Sequence, residues 1–367
     1  MIFADRPHKP AERLCSIDAD GNLRHFERAA FATALRLGDL VVANDAATLP
    51  ASLGARHDRT GSRLEIRLAG WARLGDPTRF VALALGAGDH RIRTEERGRP
   101  PRLVPGDSLS IGPLTASVEG LFGHPRLFGL RFHGSRAAIL AGLARHGRPI
   151  QYSHVPAPLA LWDVWTPIAG QPVAFEPPSA GFALDWRLLA ELRRRGVGFA
   201  TVTHAAGISS TGDPRLDLRL PLDEHYRIPG GTAAAIDDVR AQGGRVVAIG
   251  TTVVRALEAA AAGAGVRPGG GIASGRIGPG TRLRVADAIV TGVHFPGDSH
   301  FELLRAFADD IRLRRLTAGL EEMKFRSHEF GDVVMIERDR RDRPLPGDRV
   351  RDPISRAPDQ PCGTPSA

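Results

Sequence analysis

Between residues 55 and 135 the sequence changes its hydrophobic period, and that change constrains the fold more than any other feature. Short alternating segments recur there: Arg63-Leu64-Glu65-Ile66-Arg67-Leu68, Phe80-Val81-Ala82-Leu83-Ala84-Leu85, Leu114-Thr115-Ala116-Ser117-Val118 and Leu127-Phe128-Gly129-Leu130-Arg131-Phe132. Gly, Pro and Asp punctuate them. This pattern predicts a small antiparallel barrel or sandwich. On either side the chain reads as mixed α/β, so the β segment is an insertion.

Before it, residues 12–43 predict a strand, a polar turn at Asp18–Asn22, a helix, and the buried strand Leu40-Val41-Val42-Ala43. Helix signals return at Ala137–Arg145. From about residue 150 strands and helices alternate, which argues for parallel βαβ units. Helices are predicted over Leu184–Arg195, Ala233–Gln242, Thr251–Ala262 and from Ser299 to Asp309. Strands are predicted over Gly198–Thr203, Val246–Ile249 and Leu283–Thr291. The resulting domain expectation is an α/β catalytic part over 1–54 and 136–337, a β-barrel over 55–135, and a disordered tail over 338–367, where Pro, Arg, Asp and Gly show no periodicity.

The 367 residues are 42% hydrophobic and 25% charged, a globular composition able to bury a sizeable core. No apolar run approaches the ~18 residues of a membrane span, and Met1–Arg6 carries no signal-peptide core. A cytoplasmic address is expected. Cys15 and Cys362 lie near opposite ends with no CxxC pair, so neither a thiolate zinc site nor a disulfide is expected. The formal net charge of +8 comes from arginine, lysine occurring only at Lys9 and Lys324. Arginine forks match phosphates, so a nucleic-acid partner fits the charge. The same richness in Ala, Gly, Pro and Arg also follows from genome base composition alone.

The sharpest local feature is Val246-Val247-Ala248-Ile249-Gly250-Thr251-Thr252-Val253-Val254-Arg255-Ala256-Leu257-Glu258. An apolar strand ends in Gly-Thr-Thr and runs straight into a helix. Gly250 allows close ligand approach. The helix start favours anions or carboxylates, unless a threonine simply caps it. Arg255, one turn in, is expected to face the same cleft. A second cluster, Thr291-Gly292-Val293-His294-Phe295-Pro296-Gly297-Asp298-Ser299-His300, follows the next strand and offers His294 for proton transfer at a strand's carboxyl end. Pro177-Pro178-Ser179-Ala180-Gly181 predicts a tight turn, and Ser327-His328-Glu329-Phe330-Gly331-Asp332 either holds a ribose or base edge or only leads into a strand. His204 reads as a structural histidine at a strand end. No HExxH, P-loop, GxGxxG or GxSxG motif occurs.

Taken in order, these segments resemble the S-adenosylmethionine:tRNA ribosyltransferase-isomerase family. Leu37-Gly38-Asp39-Leu40-Val41-Val42-Ala43-Asn44 with Thr48-Leu49-Pro50-Ala51 is similar to its N-terminal signature, and Pro178-Ser179-Ala180-Gly181 to its Pro-Thr-Ala-Gly turn. Gly250–Glu258 is nearly the family motif. Asp287–Pro296 and Glu329-Phe330-Gly331-Asp332 resemble its late strand with a His-x-Pro turn and its Phe-Gly-Asp. The resemblance implies an α/β domain with a barrel-like mixed sheet carrying an inserted small antiparallel β-barrel. It also implies the reaction. The ribosyl part of S-adenosylmethionine moves onto a 7-aminomethyl-7-deazaguanine base in tRNA, is rearranged, and gives epoxyqueuosine with release of adenine and methionine.

Under that reading His294 and Arg255 are the catalytic candidates. Gly250, Thr251, Thr252, Ser179, Gly181 and Asp332 are the candidates for holding S-adenosylmethionine, which acts as ribosyl donor. No tightly bound cofactor, metal or membrane contact is expected, and the chain is expected to be a monomer that engages the tRNA anticodon stem-loop. Departures concentrate in segments expected to line the pocket. Ala180-Gly181-Phe182-Ala183-Leu184-Asp185 stands for Ala-Gly-Leu-His-Phe-Thr, and Leu161-Trp162-Asp163-Val164 for Tyr-Gln-Thr-Val. Transfer to a small-molecule acceptor, or a catalytically silent RNA-binding relative, are therefore the competing readings.

Overall fold

The computed structural model describes residues 1–339 except His8 and Ala264. The tail expected to be disordered lies, from residue 340 on, outside the described residues, as does Cys362. Two sheets organise the chain. The first is a closed antiparallel barrel whose strands, in spatial order, are Ser52–His57, Arg63–Trp71, Arg79–Gly86, Leu127–His133, Leu114–His124 and Ser108–Ile111. Pairing of Arg56 with Ser110 and His57 with Leu109 closes it. The alternating segments of the sequence supply these strands because their period of two sends every second side chain inward.

The second sheet has nine strands, in the order Gly269–Ala273, Glu224–Ile228, Gly198–His204, Leu40–Asn44, Val246–Ile249, Ala288–Gly292, Val333–Glu337, Arg13–Ile17, Leu23–Glu27. Four consecutive strands, Gly198–His204 to Ala288–Gly292, are parallel. Three of these four are buried along their whole length, as a parallel sheet covered on both faces requires. Leu40, Val42, Val246, Ala248 and Ile289 pack toward the helix Thr251–Ala260. Val41, Ala43, Val247, Ile249, Ala288 and Val290 pack toward Ala180, Leu184 and Leu192 on the opposite face. The architecture is the expected one: a mixed α/β sheet plus an antiparallel barrel.

Local expectations need three corrections. The helix predicted before Leu40 is instead the strand Leu23–Glu27, paired antiparallel with Arg13–Ile17, followed by the 3-10 helix Arg28–Ala34. The Asp18 carboxylate accepts from the N–H groups of Asp20 and Asn22 at 3.0 and 2.9 Å, and Gly21 takes φ +83°, so the turn closes a hairpin. The strand predicted over Leu283–Thr291 is only Ala288–Gly292. The N–H groups of Arg284, Val285 and Ala286 go instead to the Glu258 carboxylate, at 2.7 to 3.0 Å. Finally, the helix begun at Ser299 stops at Leu304, and a second helix, Asp310–Glu322, starts at the side-chain cap of Asp309.

The barrel also encloses charge. Glu65 accepts from Arg67 Nε at 2.8 Å and from Arg97 Nη1 at 2.5 Å, all three side chains being buried. Removing the carboxylate strands two buried guanidinium groups. Glu65→Leu is therefore expected to cost about 3–5 kcal/mol of unfolding free energy in a urea titration; a loss below ~1 kcal/mol would show that these arginines find water or other partners.

Candidate active site

Because the four parallel strands run the same way, their carboxyl ends share one edge of the sheet. Asn44, His204, Gly250 and His294 lie at or just beyond those ends. The Gly250 and His294 turns are neighbours, since Ile249 pairs with Val290 and Gly250 N–H donates to Val290 O at 2.7 Å. Gly250 has φ +98°, and a Cβ there would come within 3.4 Å of the Ala180 methyl. The positive φ is what requires glycine here; the Ala180 contact alone would be ordinary packing. Gly250 is also the N-cap of the helix Thr251–Ala260, and no side chain caps that helix. Thr251 and Thr252 are thus its first residues rather than its cap. The orphan donors of the first turn face the strand-end edge.

Around this edge the Asn44 amide ties two strands together. Its Nδ2 donates to His204 O at 2.9 Å, and its Oδ1 accepts from the N–H groups of His204 and Ala46 at 2.9 and 3.0 Å. Thr252 Oγ1 lies 3.4 Å from the same Nδ2.

Beyond the strand ends lies a group of imidazoles and carboxyls. His294 Nε2 is 3.2 Å from Thr291 Oγ1, and its ring stacks on His300 with centroids 4.8 Å apart. Burial pushes both rings below the usual histidine range, reinforced at His294 by the His300 imidazole and opposed at His300 by nearby carboxylates, so both are neutral at pH 7. His328 N–H donates to Val293 O at 3.0 Å, which joins the 327–332 loop to the His294 turn. The His328 ring stacks between Phe3, at 4.5 Å, and His154, at 4.9 Å. His154 Nε2 is 3.1 Å from Glu329 Oε2. Burial opposes ionisation of Glu329, but the His154 hydrogen bond and the adjacent imidazoles prevail, and its carboxyl falls to about 2.

Gln151, Tyr152, His154, Glu176, Glu329 and Phe330 line an adjoining narrow cleft. Tyr152 donates to Glu176 Oε1 at 2.5 Å, and Ser209 N–H donates to Oε2 at 3.1 Å. Burial first, and then the charge of Glu329, raise the Glu176 carboxyl to about 7. Arg67 of the barrel lies over the Tyr152 ring at 5.3 Å, so the barrel interior abuts the cleft wall.

The remaining sequence candidates occupy different places. Arg255 does not present a free guanidinium to the cleft. Its Nε donates to Glu224 Oε2 at 3.0 Å, and its other nitrogens donate to the carbonyls of Gly275, Ala273 and Leu222. Glu224 in turn accepts from Gly207 N–H at 2.6 Å. Arg255 therefore braces loops behind the histidines. Asp332 is buried, its Oδ2 accepting from Arg13 Nη2 at 2.6 Å and from Arg326 N–H at 2.7 Å; it fastens the 327–332 loop. Ser179 opens the 3-10 helix Ser179–Ala183. At Gly181 an added Cβ would meet Thr166 Cγ2 at 2.8 Å, so that glycine permits close packing. His204 is fully buried, and desolvation lowers it to about 4, a neutral structural ring.

Tyr152, His154 and Glu176 were missed in the sequence. One signal was present, a glutamate closing the apolar run Val173-Ala174-Phe175.

A family model described as queuosine biosynthesis protein matches residues 2–336. Proteins named S-adenosylmethionine:tRNA ribosyltransferase-isomerase are similar along nearly their whole length. The one from Thiobacillus denitrificans is 31% identical, covering 89% of this chain and 91% of its own. That from Sorangium cellulosum is 34% identical, covering 91% and 95%. A solved S-adenosylmethionine tRNA ribosyltransferase from Thermotoga maritima is 23% identical with a TM-score of 0.48, covering 91% of this chain and 96% of that one. The chain belongs to the queuosine biosynthesis family of S-adenosylmethionine:tRNA ribosyltransferase-isomerases.

The Glu176 carboxyl makes stability depend on pH. Its folded pKa of about 7 exceeds the ordinary 4.5, so the native state holds a proton that the unfolded chain releases. The Glu176 contribution is full below about 4.5 and falls as pH rises through 7, by about 3 kcal/mol. The buried neutral rings of His204, His294 and His300 push stability the opposite way below about 6.5, so the decline is read from thermal melts between pH 4.5 and 8 as the difference between the parent chain and Glu176→Gln, which lacks the titrating carboxyl. An unchanged slope in that variant would assign the decline to another group.

Proposed function

We propose that this chain transfers the ribosyl moiety of S-adenosylmethionine to 7-aminomethyl-7-deazaguanine in tRNA and isomerises it, giving epoxyqueuosine and releasing adenine and methionine. The observation that carries the reading is the adjacency of the Gly250 and His294 turns on two paired parallel strands. It puts an uncapped helix start beside a neutral imidazole.

The reaction needs both. The methionine carboxylate of the donor suits the N–H groups of Thr251 and Thr252, where the helix dipole favours an anion and Gly250 leaves room for it. The sulfonium acidifies the adjacent ribose carbon, and His294, uncharged at neutral pH, is the proton acceptor. Ser179 and Gly181 flank Ala180, the residue that faces Gly250, and are the candidates for contacting the donor there. Arg255 and Asp332 act as positioning residues through Glu224 and through Arg13. The arginine-derived charge of +8 supports an encounter with the phosphates of a tRNA anticodon stem-loop. Among the described residues no helix is long and apolar enough to cross a membrane, and the reading is of a monomer working in the cytoplasm.

The assay is incubation with S-adenosylmethionine and tRNA bearing the aminomethyl base, reading adenine by chromatography and the modified nucleoside by mass spectrometry. Both products are expected. His294→Ala should lower turnover ~10²–10⁴-fold, the usual worth of a positioned base, with the fold intact by circular dichroism. Full turnover in that variant removes His294 from the chemistry. Normal epoxyqueuosine in tRNA from a deletion strain sinks the tRNA reading. Adenine formed with a small acceptor but not with tRNA would favour the small-molecule alternative.

A further inference from the structure

We propose that His154, His328 and Glu329 bind one divalent transition-metal ion of the zinc class, with a further coordination position open to the cleft. Each of the three offers one ligand atom, and all these atoms lie within 4.8 Å of one another. Zinc ligands sit ~2.0–2.2 Å from the ion, so neighbouring donors around a tetrahedral centre are ~3.4 Å apart. His154 Nε2 and Glu329 Oε2, at 3.1 Å, are already near that spacing. Completing the set requires the His328 ring to turn out of its stack on His154, now 26° from parallel, so that the two imidazole nitrogens converge on one ion.

Three further observations support a ligand role. His328 Nε2 is buried and has no hydrogen-bond partner, although a neutral or charged imidazole ordinarily satisfies both nitrogens. His328 also holds φ +68°, a left-handed conformation uncommon outside glycine and concentrated at functional sites. Among the described residues, Glu329 has no arginine or lysine ion pair; its partner is His154. A carboxylate without a cationic side chain, beside two imidazoles, is the nitrogen and oxygen donor set of open catalytic zinc sites, which keep three protein ligands and one exchangeable position. Phe3 stacking fixes one face of His328, and Tyr152 lies parallel to the His154 ring with centroids 6.3 Å apart. The open position faces Gln151, Tyr152 and Glu176. The sequence carries no metal-spacing motif because His154 and Glu329 are 175 positions apart.

The test uses the tag-free full chain, stripped with a chelator and titrated with zinc chloride by calorimetry, with bound metal counted by mass spectrometry. One zinc per chain is expected, and cobalt chloride should give visible absorption bands of a low-coordinate nitrogen and oxygen site. His328→Asn, chosen because asparagine tolerates the left-handed backbone, and Glu329→Gln should each weaken zinc binding at least ~100-fold. His133→Ala, on the barrel surface, should leave it unchanged. Circular dichroism of the metal-free proteins checks folding, and Glu329→Gln decides if His328→Asn is unfolded. Absence of zinc uptake by the parent chain, or equal uptake by parent and both ligand variants, overturns the proposal. Binding is read without turnover, so its failure is separate from failure of the transfer reaction.

Discussion

The parallel strands are clamped at their starts by buried charge, and the rest of the molecule depends on that clamp. Asp39 takes Arg245 Nε at 2.9 Å and Nη2 at 2.5 Å, and Arg245 Nη1 reaches Glu337 at 2.7 Å. Asp287 accepts from Val246 N–H at 3.0 Å and from Arg338 Nη2 at 3.1 Å. These contacts link Leu40–Asn44, Val246–Ile249, Ala288–Gly292 and Val333–Glu337 at the end opposite the candidate site. Register is the quantity they secure. A slip of one residue would turn Val41, Val247 and Val290 to the wrong face, and would separate Gly250 from Val290. Buried pairs of this kind add little net stability over apolar packing, but breaking one is costly; specifying register is a use for which they suit this sheet.

Placing the fixed charges at one end leaves the other for neutral and weakly held groups. His204, His294 and His300 are all pushed toward the uncharged form by burial. Glu176 and Glu329 share one region but move in opposite directions, one toward neutrality of the carboxyl and the other toward permanent charge. Pairs of titratable groups driven apart by their surroundings are a mark of acid–base sites.

Much of the frame was legible in the sequence. Leu40–Ala43 and Val246–Ile249 read as buried strands because they are unbroken apolar runs, and the barrel announced itself by alternation. What was lost depended on partners far along the chain. Gly269–Ala273, mostly glycine, is a strand only because Glu224–Ile228 pairs with it. Leu283–Ala286 looked like strand, but the Glu258 carboxylate captures its N–H groups. The Gly250 and His294 turns were found because each follows a readable strand. The Tyr152, His154 and Glu176 side of the cleft was not, because its members come from segments with no periodic signature; Glu329 was singled out with the 327–332 stretch, but not its partner His154. Arg255 was placed in the cleft by helix periodicity alone, which cannot see that Glu224 claims it.

The short strand Gln171–Ala174 and the residues after it serve both halves of the molecule. The Val173 carbonyl accepts from Trp71 Nε1 of the barrel at 2.7 Å, Phe175 packs against Trp71 and Phe80, and the next residue, Glu176, is the cleft acid. The barrel is thus no detachable appendage. Swapping it for an unrelated module of similar size would misplace a carboxyl of the opposite half by altering the aromatic bed on which its neighbour rests, so change in one half is bound to change in the other.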